Sequence, residues 1–200
     1  MGVGMSDDVT DAPPRTERAA GTRLTPAESA AGRRGALPGA VAGARLLLVA
    51  LWLGGAVFFS FVVAPSAFAV LPARELAGAI VTRTIAVVNV GGFVIGLVAL
   101  ALGFPADDEA ARRGRARLVE TVALALVAIC CGVGHWVVSA RMLALRAAMG
   151  RPIDAVAADD PARAAFNSLH GYSVGLMTVA MLAGVVALFA VARRVNKSGV

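Results

Sequence analysis

From Leu46 to Ala73 the chain carries no charged residue. The stretch opens on apolar bulk, turns small at Gly54-Gly55, passes Phe58, Phe59 and Phe61, and reaches Pro65. A run of this length exceeds what a core helix of a small soluble protein needs. It matches the roughly 20 apolar residues that cross a bilayer as a helix. Three more apolar runs follow, and the pattern predicts membrane spans over about residues 41–63, 84–104, 118–140 and 167–192.

The punctuation between the runs fits that reading. Pro65 removes a backbone donor and is expected to kink or end the first helix; Ser66 to Leu71 then leads to Pro72 as a short interfacial helix. Arg83 stands at the start of the second span, where its long stem can reach the head groups. Phe104-Pro105-Ala106-Asp107-Asp108 ends that span. The third helix is expected to run on past Arg141 and Arg146 to Met149, until Gly150-Arg151-Pro152 breaks it. Asp160-Pro161 reads as an N-cap followed by proline at the first helical position. Residues 1–40 hold few large apolar side chains and are expected to form a disordered basic tail. The tail lacks the short apolar core of a secretory signal peptide. Residues 193–200 form a short basic C-terminal tail. The predicted fold is therefore all-α: a polytopic membrane protein, a bundle of four transmembrane helices over residues 41–192 behind a disordered N-terminal tail.

Composition sharpens the picture. Of the 200 residues, 58% are hydrophobic and 16% charged, with mean hydropathy +0.75, far from an average soluble domain. The formal charge is +6, but the arginines flank apolar runs and are not interleaved with aromatics on one face. The expected partners are the lipid bilayer and its anionic head groups, with no nucleic acid. Four spans put both termini on one side. That side carries six arginines up to Arg45, four in the middle loop and three basic residues at the end, against six on the other side. The positive-inside rule then places both termini in the cytoplasm, in a multi-pass protein of the plasma membrane. The adjacent cysteines Cys130 and Cys131 imply no disulfide framework.

Certain residues add a resemblance. Trp52-Leu53-Gly54-Gly55, Phe59, Val63-Ala64-Pro65, Phe68 and Ala77-Gly78 at the start, with Arg141-Met142, Leu145-Arg146, Phe166-Asn167-Ser168-Leu169-His170 and Ser173 later, resemble the domain-of-unknown-function 4149 family, also called transmembrane-protein-205-like. The resemblance covers about residues 41–192. That family has no established biochemical activity. It is similar in outline to copper-resistance D-type and haem-biosynthesis membrane proteins, which implies metal or haem as a lead by analogy.

Polar side chains within spans are costly and therefore candidates for function. His135 near the end of the third span and His170 near the start of the fourth lie toward one boundary, with Asn89, Arg83, Ser139 and Arg141 on the same side. Two imidazoles from separate helices could ligate haem iron, and Cys131, spaced i, i+4 from His135, adds a soft donor suited to copper. Met142, Met177 and Met181 could add thioethers. The plainer readings are hydrogen bonding to a neighbouring helix for the histidines, and gap filling for the cysteines and methionines. Glu120, just after Arg117, reads as a member of an interfacial ion pair. Gly54, Gly55, Gly92, Gly96, Gly171 and Gly175 read as helix-packing positions, Gly92 and Gly96 forming a G-x-x-x-G pair. No phosphate-binding loop, nucleophile elbow or paired intramembrane carboxylates occur in the sequence, so it supports no hydrolytic enzyme. Three functions follow as expectations: a non-enzymatic membrane protein linked to metal or stress tolerance, a haem- or copper-binding membrane protein using His135 and His170, or a small transporter working as a homo-oligomer.

Overall fold

The computed structural model describes residues 1–2, 26–103 and 114–197. Residues 3–25 of the expected tail, and the loop between the second and third spans from Phe104, lie outside them. The chain divides into two units, Met1–Gly35 and Ala36–Val200. The first contributes, among the described residues, Met1, Gly2 and the opening turns of α1. The second holds everything described below.

Every regular element among the described residues is helical. α1 runs Pro26–Phe58, continues through a π-helical segment Phe59–Val63, and passes into α2, Ala64–Val70. α3 is Arg74–Ala101 and α4 is Gly114–Gly132. A second π-helical segment, Val133–Ser139, joins α4 to α5, Ala140–Met149. A 3₁₀ turn, Ile153–Ala155, leads to α6, Pro161–Lys197. Four helices are long and apolar enough to cross a membrane: Gly39–Val70, Arg74–Ala101, Arg117–Met149 and Pro161–Arg193.

Two outcomes differ from the sequence pattern. α1 begins at Pro26, so the helix takes in residues that lack large apolar side chains and read as tail. The segment opens on a proline, which starts a helix readily, and carries alanines, Glu28 and two arginines, but also Gly32, Gly35, Gly39 and an interior Pro38, so local propensity does not explain the helix. At Pro65 the helix does not stop. The turn ahead of the proline widens, with the Ala64 N–H bonded to the Phe59 carbonyl five residues back. A π-turn of this kind absorbs a residue that the regular i→i−4 ladder has no room for. The helix ends instead at Leu71, which is extended before Pro72.

The remaining boundaries follow from local chemistry. Gly150 caps α5 in the left-handed conformation at φ 61°, which a glycine adopts without strain. Asp160 Oδ1 accepts a 2.7 Å hydrogen bond from the Ala162 N–H, satisfying one of the free donors of α6. Arg163 then donates to the Val156 carbonyl at 2.7 Å and ties the α5–α6 connection to the helix.

α4 is the central helix, packing most extensively on α6 and α3. Two clusters fill the interior. Trp52, Leu53, Ala56, Val127, Cys130, Cys131, Met177, Ala180 and Ala183 form one; Val49, Ala99, Ala123, Leu124 and Ala187 form the other. Each helix contributes a stripe with three- and four-residue spacing, which is how an α-helix presents one face. The bulk comes from α1 and α4, and the small residues from α3 and α6. Outward faces are apolar, with Leu47, Leu51, Phe61, Val87, Ile129, Leu182 and Phe189 all exposed.

Candidate functional site

Three polar levels cross this bundle. The first lies toward the termini. Arg45 of α1 and Glu120 of α4 form an ion pair with both side chains buried, at 6% and 2% exposure. Arg45 Nε also donates to the Ala99 carbonyl of α3 at 2.8 Å, and a Cβ placed on Gly103 would meet Arg45 Nη2 at 2.6 Å. Beside it Arg117 donates to the Gly103 carbonyl at 3.0 Å. One carboxylate and two arginines thus bind α1, the end of α3 and the start of α4. Sequence reading counted Arg45 among the basic residues on the side of the termini and gave Glu120 an interfacial pair next to Arg117. The structure moves Arg45 into the bundle as Glu120's partner, because its position within an apolar stripe (Arg45, Val49, Trp52, Ala56) turns it inward.

The second level is the close approach of α1, α3, α4 and α6. Trp52 Nε1 donates to the Val88 carbonyl at 3.0 Å. The indole reaches that carbonyl because Gly92, one turn on, has no side chain: a Cβ there would sit 2.5 Å from both Trp52 Nε1 and Cys131 Sγ. A Cβ on Gly96 would meet the Ala128 backbone nitrogen and the Leu124 carbonyl, each at 3.2 Å. This is backbone-to-backbone packing of the kind small residues allow in membranes. Gly184 of α6 takes the far edge of the same indole, with its Cβ position 2.9 Å from the ring. Around Gly54, Gly55, Gly171 and Gly175 a Cβ would meet nothing within 4 Å.

The third level lies toward the α5–α6 connection. The Arg146 guanidinium stands 5.0 Å from the centre of the Phe166 ring, a cation–π arrangement, and reaches to within 3.3 Å of a Cβ on Gly78. α3, α5 and α6 meet there. Gly78–Arg146 and the deeper contact of Gly134 with Asn89 fix an antiparallel register between α3 and α4–α5. Five residues inward from Gly78 is Arg83, and five residues inward from Arg146 is Arg141, so the two arginines stand level. Both are exposed, and neither has a hydrogen bond or ion pair among the described residues.

The sequence candidates for metal and haem ligation lie in different surroundings. Cys131 is buried under Gly92. His135 is half-buried with its ring edge-on to Trp136 of its own helix at 5.0 Å, and Trp136 in turn meets Phe93 at 4.8 Å. His135 Nδ1 is buried with no hydrogen-bond partner among the described residues. His170 is exposed on α6. Among the described residues no group of three His, Cys, Asp or Glu side chains could hold a metal ion. Asn89 is buried at 3% exposure against Gly134. Ser139, at the end of the π segment, bonds back to the Gly134 carbonyl at 2.9 Å.

Sequence reasoning missed the Arg45–Glu120 pair and the Trp52 wedge. The signal for the first was present: an arginine four residues before Val49, in phase with the buried stripe. No curated protein and no solved structure matches the chain. The family described as Domain of unknown function (DUF4149) matches residues 47–151, from the start of the first apolar run to just beyond α5, slightly over half of the chain. The match takes in Glu120, Trp52, Gly92, Gly96, Arg83, Arg141 and Arg146, and the chain belongs to this family of multi-pass, helical membrane proteins of unknown role.

Proposed function

We propose that the protein is a non-catalytic component of the cell (plasma) membrane, with both termini cytoplasmic, whose boundary arginines hold anionic lipid head groups. One observation carries the reading: Arg83 and Arg141 stand level on neighbouring helices, exposed and without a protein partner among the described residues, where the apolar belt of each helix ends. A cation at that depth is favourable only when water or a phosphate satisfies it. The orientation rests on the distribution of basic residues, thirteen on the side of the termini against six on the other. Removing Arg45, whose charge Glu120 meets inside the bundle, leaves that bias in place.

The test is lipid composition. The full-length protein, extracted in mild detergent from membranes of known lipid content, should carry anionic phospholipid above its share in the bulk membrane, and the double variant Arg83→Gln/Arg141→Gln should lose that enrichment. Lipid carried in bulk proportion by the wild type would overturn the reading. Orientation is checked by thiol labelling from either face, in a background with Cys130 and Cys131 replaced by alanine. Lys197→Cys should react only from the cytoplasmic face and Arg151→Cys only from the opposite one.

A further inference from the structure

We propose that a groove between α6 and the second π-helical segment is a specific site for one anionic phospholipid, with its phosphate on Arg141 and an acyl chain along Gly171 and Gly175. The proposal rests on the lipid-binding reading above and names its site. The groove is open along one side and has a volume of about 490 Å³. Its walls are apolar, from Cys130 and Val133 on one side to Leu176 and Val179 on the other, and its polar groups, Arg141 and Tyr172, come from the boundary end of the two helices.

Three features fit that ligand. The first is depth. Cys130 to Arg141 on one wall and Leu169 to Val179 on the other each rise about 15 Å, half of the roughly 30 Å hydrocarbon core. The groove therefore spans one leaflet and suits a lipid whose head lies at the boundary. The second is charge. Arg141 is exposed, lines the groove and has no protein partner among the described residues. A guanidinium presents a planar fork of donors that matches phosphate, and the exposed Tyr172 lines the same end. The third is shape. Space is open at Gly171 and Gly175, where any larger residue would fill the channel. The opposite wall is the wider π-helical turn Val133–Ser139, a distortion that recurs at functional sites.

The experiment is native mass spectrometry of the full-length protein in mild detergent, titrated with phosphatidylglycerol or phosphatidylcholine, on the wild type and three variants. The wild type should retain one phosphatidylglycerol with at least tenfold preference over phosphatidylcholine. Arg141→Gln should lose about tenfold in affinity for phosphatidylglycerol. Gly175→Leu should lower retention of both lipids, with its helical content and thermal transition unchanged because the added side chain meets open space. Arg151→Gln, an exposed arginine of the α5–α6 connection that does not line the groove, should bind as the wild type. Equal losses in Arg151→Gln and Arg141→Gln would overturn the groove while leaving general head-group attraction standing. No preference for phosphatidylglycerol in the wild type would overturn both. A dimer in the wild type that Gly175→Leu converts to monomer, with lipid retention unchanged, would assign the groove to a second copy and overturn the proposal.

Discussion

The two ends of the bundle treat an arginine in opposite ways. At the terminal end Arg45 is buried, paired with Glu120 and bonded to the Ala99 carbonyl. At the other end Arg141 is exposed, with no protein partner among the described residues and an apolar groove beside it. The same side chain is a fastener in one place and an open binding group in the other. What separates them is whether the neighbouring helices supply a carboxylate and a carbonyl. A buried guanidinium without them would face the cost of an unpaired charge in a low-dielectric interior. An arginine at the boundary can instead extend its stem along apolar surface and leave its head in the lipid head-group layer.

This contrast is broken most directly at the fastener. Glu120→Ala leaves Arg45 buried without its carboxylate and should destabilise the bundle by about 3–5 kcal/mol, read as a shift in equilibrium unfolding by denaturing detergent. The double variant Arg45→Met/Glu120→Leu removes both charges and should recover most of that loss. A single variant within about 0.5 kcal/mol of the wild type, the range of an ordinary surface substitution, would show that water already satisfies the arginine.

The next largest effect separates the packed glycines from the open ones. Gly92→Val drives a side chain into Trp52 and Cys131, and overpacking of this kind costs about 1–3 kcal/mol. Gly171→Val adds the same atoms where nothing lies within 4 Å and should change stability by less than about 0.5 kcal/mol. Equal effects from the two would mean that the open pair is buried by something outside this chain. Within the same wedge, Trp52→Phe keeps the bulk but loses the bond to the Val88 carbonyl. That single hydrogen bond is worth about 0.5–1.5 kcal/mol, so thermal unfolding should show a smaller loss than for Gly92→Val.

Much of the fold was legible because lipid restricts the alternatives. Long apolar runs must form helices there, since no water is present to satisfy the backbone, and glycine pairs announce where helices can approach. That logic located Gly92 and Gly96, which the structure sets against α4. The same logic read Gly171 and Gly175 as packing positions too, and these open onto a groove. Periodicity alone does not distinguish the two, because both faces of a membrane helix are apolar. The Arg45–Glu120 pair was legible only in the phase of Arg45 with Val49, Trp52 and Ala56, not as a pairing. Each residue of the pair lies at the edge of its own apolar run and reads as a boundary charge; their meeting depends on the register of α1 against α4, which no local pattern encodes.

The smallest expected effect is the sharpest discriminator between the two ends. Arg45→Gln removes a buried cation that pairs with Glu120 and bonds the Ala99 carbonyl and should lower stability by several kcal/mol. Arg141→Gln makes the same chemical change on an exposed residue and should leave unfolding within about 0.5 kcal/mol of the wild type. Measured in detergent without added lipid, the two variants should therefore differ by nearly the full worth of the ion pair. Adding phosphatidylglycerol then tests the other half. A ligand that binds only the folded state raises its apparent stability with concentration, so the wild type should gain stability along the titration. Arg141→Gln should gain less, because its groove has lost the cation. Arg45→Gln should start lower and gain as much as the wild type, since its groove is intact. If instead Arg141→Gln is unstable before any lipid is added, Arg141 is a fastener too, and the asymmetry between the two ends disappears.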